Sequence, residues 1–217
     1  MAEGVDKSPE MINKCLKACR VISQMMAARQ YESLDDDEIF SVITDEMEID
    51  EFEATYDSIK NTHYFRNNTT TEALAIVFDF RDKLTHKTFK EDYFKYYTNA
   101  DKPITHLILV HQEGSLAHIF DRIKKQLRLI GKKLETFTLQ ELQYNITMHF
   151  FVPKHKVLSN EEKNELFNRY KIDETKLPQI LSTDPVVRYY GADPGAIIEI
   201  TRRSETCGRV VTYRLVI

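Results

Sequence analysis

Apolar positions recur at helical spacing from the start of the chain: Ile12, Cys15, Leu16, Cys19, Ile22, Met25 and Met26 fall on one face. Ser8 as cap and Pro9 at the first helical position open that helix, and Glu10 lies near its positive dipole end. The pattern predicts a helix to about Arg29. From residue 30 to 59 there is no basic residue, while Ile39, Phe40, Val42, Ile43, Ile49 and Phe52 interleave with a dozen acids. Short helices with a solvated acidic face are expected there. Residues 61–71 are polar and read as a loop. Continuous apolar runs over Ala73–Phe80 and Ile104–Val110 predict two buried strands. The charged, aromatic stretch between them, with Tyr93, Phe94, Tyr96 and Tyr97, reads as a mobile or partly helical connection. Ser115 starts a second amphipathic helix with the stripe Leu116, Ile119, Phe120, Ile123, Leu127 and Ile130. Strands alternating with helices give an α/β N-terminal half.

The pattern changes near residue 145. Asn145–Val152 is rich in β-forming residues before Pro153 and reads as a strand. Ser159 and Glu162 form a capping box, followed by an apolar face of Leu166, Phe167 and Tyr170. Asp184-Pro185 opens a short helix that Gly191 closes, and Asp193-Pro194-Gly195 is a turn. Ala196–Arg203 and Arg209–Ile217 then form an antiparallel hairpin. On its last strand Val211, Tyr213, Leu215 and Ile217 share one face, with Thr212 and Arg214 on the other. These elements predict a small α+β domain over 145–217, preceded by the α/β domain over 1–144.

Composition narrows the class. Of 217 residues, 42% are hydrophobic and 29% charged, as in an ordinary soluble protein. No apolar run reaches the length of a membrane span, and residues 1–30 carry acids and a proline where a signal peptide would be apolar. Cys15, Cys19 and Cys207 form no disulfide framework. Cys15 and Cys19 lie one turn apart, yet no second pair completes a tetrahedral metal site, so both read as core. The acidic block lacks the spacing of a calcium-binding loop and reads as acidic surface. Residues 148–217 carry 11 Lys+Arg against 9 Asp+Glu, and residues 1–147 carry 19 against 25. Neither half has the strongly basic footprint of a protein that binds nucleic acid by itself. One local exception surrounds the second amphipathic helix, where Arg122, Lys124, Lys125, Arg128 and Lys132 are candidate DNA contacts. A solvated helix face accounts for the same residues.

The stretches VPKHKVLS (152–159), LPQI (177–180), DPVVRYYG (184–191) and RRSETCGRVVTYRLV (202–216) resemble the C-terminal assembly domain of the fifth-largest subunit of eukaryotic RNA polymerases I, II and III. That domain is similar to one of the small subunits of archaeal RNA polymerase. LETFTLQELQYNIT (134–147) resembles the family's junction between domains. The resemblance implies a non-catalytic subunit whose C-terminal domain anchors to the largest polymerase subunit. Its N-terminal domain would be a jaw, similar to a truncated nuclease fold, near downstream DNA. The anchoring elements it implies are Pro153, Lys154 and His155; Asp184, Pro185, Tyr189 and Gly191; and Ser204, Glu205, Thr206, Gly208 and Arg209. It implies no cofactor, no metal, no membrane and no obligate homo-oligomer. It places the protein in the nucleus, or in a virion or the cytoplasm if a large DNA virus encodes the polymerase. Where the family's jaw carries Thr-Pro-Ser-Ala, this chain has Gln112-Glu113-Gly114-Ser115-Leu116-Ala117.

Two rival readings compete with it. A metal-dependent nuclease needs clustered carboxylates and an acid-x-Lys pattern on a strand. No lysine from Lys7 to Lys133 has an acid two residues before it; the pattern occurs only at Glu161-x-Lys163 and Glu174-x-Lys176. No nucleophile elbow supports a hydrolase either. A free-standing transcription adaptor that carries the same assembly domain is the other rival.

Overall fold

Ser8 and Pro9 open the first helix as their side chains dictate: the Met11 amide donates to Ser8 Oγ at 3.3 Å, and Pro9 stands at the first turn. The computed structural model describes residues 7–33, 37–67, 72–81, 86–98, 104–112, 117–204 and 208–217. By its contacts the chain divides into two compact units, Met1–Tyr144 and Asn145–Ile217.

The N-terminal unit runs α1 (Pro9–Ala28), β1 (Tyr31–Ser33), α2 (Ile49–Thr55), β2 (His63–Asn67), β3 (Ala73–Asp79), α3 (His86–Asp92), α4 (Phe94–Thr98), β4 (His106–His111), α5 (Ala117–Leu129) and β5 (Lys133–Thr138). Its five strands lie in sequence order, with β1–β2 and β2–β3 antiparallel and β3, β4 and β5 parallel. Parallel neighbours need crossovers, which α3–α4 and α5 supply. Phe89, Tyr93 and Tyr97 from the first crossover and Phe120, Ile123 and Leu127 from α5 form one core with Ala75, Val77, Leu107 and Leu109. The alternate strand positions Leu74, Ile76, Ile108 and Val110 are buried too, which is why β3 and β4 are apolar without alternation.

Several expectations for this unit are corrected. Residues 63–67 form β2, not loop: His63 and Phe65 are buried while Arg66 is exposed, an alternation too short to stand out among polar neighbours. The acidic stretch yields one α-helix and a 3₁₀ turn over Tyr56–Lys60, and it also contains the edge strand β1. Asp37 within it is not solvated; it pairs with buried His63 Nδ1 at 2.8 Å. The aromatic connection is packed, because Phe89, Tyr93 and Tyr97 are buried. The apolar stripe of α5 ends at Leu127: Ile130 follows the helix and is exposed. Lys133 belongs to β5, a strand its mixed composition had hidden. Ser115, Leu116 and residues 113–114 lie outside the described residues, as do Asp35 and Asp36. Cys15 and Cys19 are both buried. Burial pushes the Cys15 thiol up to about 11, against a weak contact with the Tyr56 hydroxyl, and raises the Cys19 thiol well above its ordinary value. Both are therefore unreactive thiols in the core of α1. Among the described residues, no helix is long and apolar enough to cross a membrane.

The C-terminal unit runs β6 (Lys154–Val157), α6 (Asn160–Tyr170), β7 (Gln179–Ile180), α7 (Pro185–Tyr190), β8 (Ile197–Ser204) and β9 (Gly208–Val216). Its sheet has the order β6-β8-β9-β7, with β7 parallel to β9 and the other pairs antiparallel. The Ser159–Glu162 capping box is complete, and Lys171 ends α6 in the left-handed region at φ 50°. Both faces of the sheet carry core. Val187 of α7 packs with Ile198, Ile200 and Val216, while Leu166 and Leu177 pack with Ile197 and reach Tyr213 and Leu215. Tyr170, expected on the buried face of α6, is exposed. Val211 and Ile217 are exposed as well, so the predicted apolar face of β9 is covered only in its middle.

Candidate functional site

Asn145–Val152 is not a strand. The Asn145 carboxamide accepts from the Thr147 amide at 3.0 Å and from the Thr147 hydroxyl at 2.7 Å, which folds Ile146–Met148 into a 3₁₀ turn. An Asn side chain that satisfies its own backbone two residues on competes with strand pairing. The other end of the same amide donates to the buried Tyr189 hydroxyl at 3.1 Å, fixing the turn to α7. The chain then emerges with Met148, Phe150 and Phe151 respectively 72%, 92% and 82% exposed. Consecutive aromatic residues just before a strand cannot both face its core. Here neither does.

Phe151 stands at the rim of a groove of about 390 Å³ on the sheet face that α7 half covers. Pro153 and His155 of the β6 edge, Asp184 and Val186 of α7, and Ile200, Arg202, Thr212 and Arg214 of the hairpin line it. The cause is a mismatch in length. A six-residue α7 spans ~9 Å, whereas eight-residue β8 spans ~26 Å. The helix therefore covers Ile198 and Val216 and leaves the hairpin's far half open. His155 Nδ1 donates to the Pro153 carbonyl at 2.7 Å; a carbonyl only accepts, so in the neutral ring the proton sits on Nδ1 and Nε2 is the acceptor. Asp184 Oδ1 accepts from the Val186 amide at 2.9 Å and caps α7. Arg202 and Arg214 form no ion pair among the described residues.

The structure thus brings Pro153, His155 and Asp184 together. Pro185 is the first residue of α7, and Gly191 its left-handed cap at φ 65°. Tyr189 is buried behind the turn, and Lys154 is exposed. Ser204 pairs with Gly208 at the hairpin end, two positions beyond Arg202, and Arg209 is exposed opposite Arg203. Glu205 and Thr206 lie outside the described residues. Gly208 has φ +71°, and a Cβ there would meet nothing within 4 Å. Gly208→Val is therefore expected to cost ~1–3 kcal/mol through backbone strain alone; a shift in the thermal midpoint measures it. No sequence motif covers Phe150 or Phe151, and Arg202, Thr212 and Arg214 lie within the stretch 202–216 without being marked there as a site. Alternation along β8 and β9 puts Thr212 and Arg214 on one face, but which side lacks a covering helix is not written there.

In the N-terminal unit, Arg122, Lys125 and Arg128 are exposed on α5. Lys124 Nζ instead donates to Thr136 Oγ1 at 3.0 Å, and Lys132 Nζ to the Ile104 carbonyl at 2.8 Å. These two lysines help hold α5 and β5 on the sheet. A further polar cluster of the unit lies at the end of β3, where Arg81 donates to both Asp79 oxygens and to Asp92. Burial would raise the Asp79 carboxyl, but hydrogen bonds from Arg81 and Tyr93 together hold it below the ordinary carboxylate range. Among the described residues, no group of three or more His, Cys, Asp or Glu side chains converges as metal ligands would.

Residues 144–216, the whole C-terminal unit but for its last residue, match the family model described as RNA polymerase Rpb5, C-terminal domain. Over these residues the chain is similar to that family. Curated relatives match over 82 to 113 residues of the chain. The chain is 55% identical over 82 residues to the DNA-directed RNA polymerases I, II, and III subunit rpabc1 of Dictyostelium discoideum. It is 51% identical over 84 residues to subunit RPABC1 of RNA polymerases I, II, and III in Caenorhabditis briggsae. It is 40% identical over 113 residues to the RNA polymerases IV and V subunit 5B of Arabidopsis thaliana. The matched segments cover 38%, 39% and 52% of this chain and 42%, 40% and 50% of those relatives, respectively. The groove thus lies within the segment that matches that family model.

Proposed function

We propose that the chain is a non-catalytic subunit of a multisubunit DNA-directed RNA polymerase, acting in transcription in the nucleus. Its Rpb5 C-terminal domain anchors it to the largest subunit. Its N-terminal unit, the sheet with crossovers α3–α5, forms a nuclease-like jaw toward downstream DNA. The exposed Arg122, Lys125 and Arg128 of α5 are the groups on that unit best placed to meet phosphates. The observation that carries the reading is the family match across nearly all of the C-terminal unit, whose relatives are named as polymerase subunits. The open sheet face bordered by Phe150 and Phe151 supports it: exposed apolar surface next to a half-covered core fits a domain completed by a partner. Affinity purification of the tagged full chain under native conditions, with mass spectrometry of what is retained, tests it. The largest and second-largest subunits of one polymerase are expected in near-stoichiometric amounts. Recovery of the chain without them contradicts the reading.

A further inference from the structure

The groove has a chemistry that specifies more than a generic protein contact. Its floor is apolar at Ile200 and Val186, with Phe151 at the rim, and cationic at Arg202 and Arg214. Among its lining residues the one acid, Asp184, uses Oδ1 to cap α7. Strand register fixes where the arginines sit. Ile198 pairs with Arg214, Ile200 with Thr212 and Arg202 with Val210, so both arginines share a face with Ile200 and Thr212 between them. Arg214 lies four positions along the ladder from Val210, the partner of Arg202, or ~13 Å at ~3.3 Å per residue.

We infer that this open half-face holds an extended acidic segment of the partner polypeptide, with acids about four residues apart on Arg202 and Arg214 and an apolar side chain between them over Ile200. An extended chain repeats at the pitch of the strands beneath it, so residues i and i+4 reach both arginines while i+2 faces the floor. Arginine forks bind carboxylates bidentately. The volume, about 390 Å³, falls within the ~300–1,000 Å³ typical of clefts that seat a ligand. The net charge of residues 148–217 is only +2, which favours a discrete acidic peptide over a nucleic-acid backbone. The inference rests on the chain's being a polymerase subunit, since that supplies the partner.

The test uses the full chain assembled into the polymerase. Arg202→Glu with Arg214→Glu is expected to lower retention on the polymerase at least about tenfold. Lys171→Glu with Lys176→Glu, a charge-matched pair of exposed lysines outside the groove, is expected to leave it unchanged. Should the double glutamate variant melt early, Arg202→Gln with Arg214→Gln and the loss of wild-type retention with rising salt carry the same comparison. Phe151→p-benzoylphenylalanine, photolysed in the assembled enzyme, is expected to crosslink to a segment of the largest subunit with two acids about four residues apart. Undiminished retention of both arginine variants, or crosslinking to nucleic acid or to a segment without acids, overturns the inference alone. Absence of the wild-type chain from the polymerase overturns the functional reading as well.

Discussion

Glu135→Ala is expected to destabilise the N-terminal unit by ~3–5 kcal/mol, the usual cost of breaking a buried ion pair from one side. Glu135 on β5 meets Arg29 at 2.8 Å, His106 at 3.2 Å and Lys133 at 3.3 Å. The Arg29 and Glu135 side chains are 4% and 15% exposed, so solvent screens them little. Burial would raise the Glu135 carboxyl, but Arg29, then His106 and Lys133, hold it well below the ordinary carboxylate range. Alanine removes a buried anion that these three groups share. Arg29→Ala should cost less, since His106 and Lys133 still face the anion. The pH dependence has a definite sign. A depressed carboxylate contributes stability above its unfolded pKa of ~4.3 and loses it as pH falls toward the folded value. Burial also lowers the His106 pKa, so its contribution is present above ~6.5 and lost on acidification. Wild type should therefore weaken as pH falls from about 6.5 to below ~4.3, and Glu135→Ala should flatten the part below ~4.3. The chain has no tryptophan, so hydrogen exchange in graded denaturant, read on β3–β5 peptides by mass spectrometry, is the suitable measurement. A loss under ~1 kcal/mol in Glu135→Ala, small beside the cost expected of a broken buried pair, would show that the cluster is not a stabilising element.

Ile198→Ala should unfold the C-terminal unit under conditions where the N-terminal unit stays intact. Ile198 is fully buried, and its cluster has only three other buried members: Val187, Ile200 and Val216. Such a deletion costs ~2–5 kcal/mol, with little scope for so small a core to close the cavity. Folded units of this size hold ~3–5 kcal/mol in total. The same exchange experiment should show β6, β8 and β9 losing protection together while β3 and β4 keep theirs. Retention on the polymerase should fall with it, because α7 and the groove floor depend on the same side chains. Protection lost in both units at once would contradict two separately folding bodies.

Much of this fold is written in local signals. Ser8-Pro9, Ser159 with Glu162, Asp184-Pro185 with Gly191, and the final hairpin each form where their side-chain chemistry directs. The expectations that failed share a cause. His63–Asn67 and Lys133–Thr138 are strands because neighbours in the sheet bury alternate residues, a tertiary effect that their own composition does not report. Asn145–Val152 has strand-like composition, but one side chain, Asn145, turns it. Of the candidate site, Pro153, His155 and Asp184 are legible through motif resemblance. Arg202 and Arg214 lie within the stretch 202–216, but they acquire meaning as a pair only from pairing register and from the shortness of α7.

Residues 145–217 by themselves are expected to carry this protein into a polymerase. Expressing 1–144 and 145–217 as separate tagged chains alongside the polymerase tests it most directly, with quantitative mass spectrometry of the largest subunit in each eluate. The 145–217 chain is expected to retain the largest subunit about as well as the full chain, and 1–144 to retain little. Retention by 1–144 with none by a folded 145–217 would contradict it.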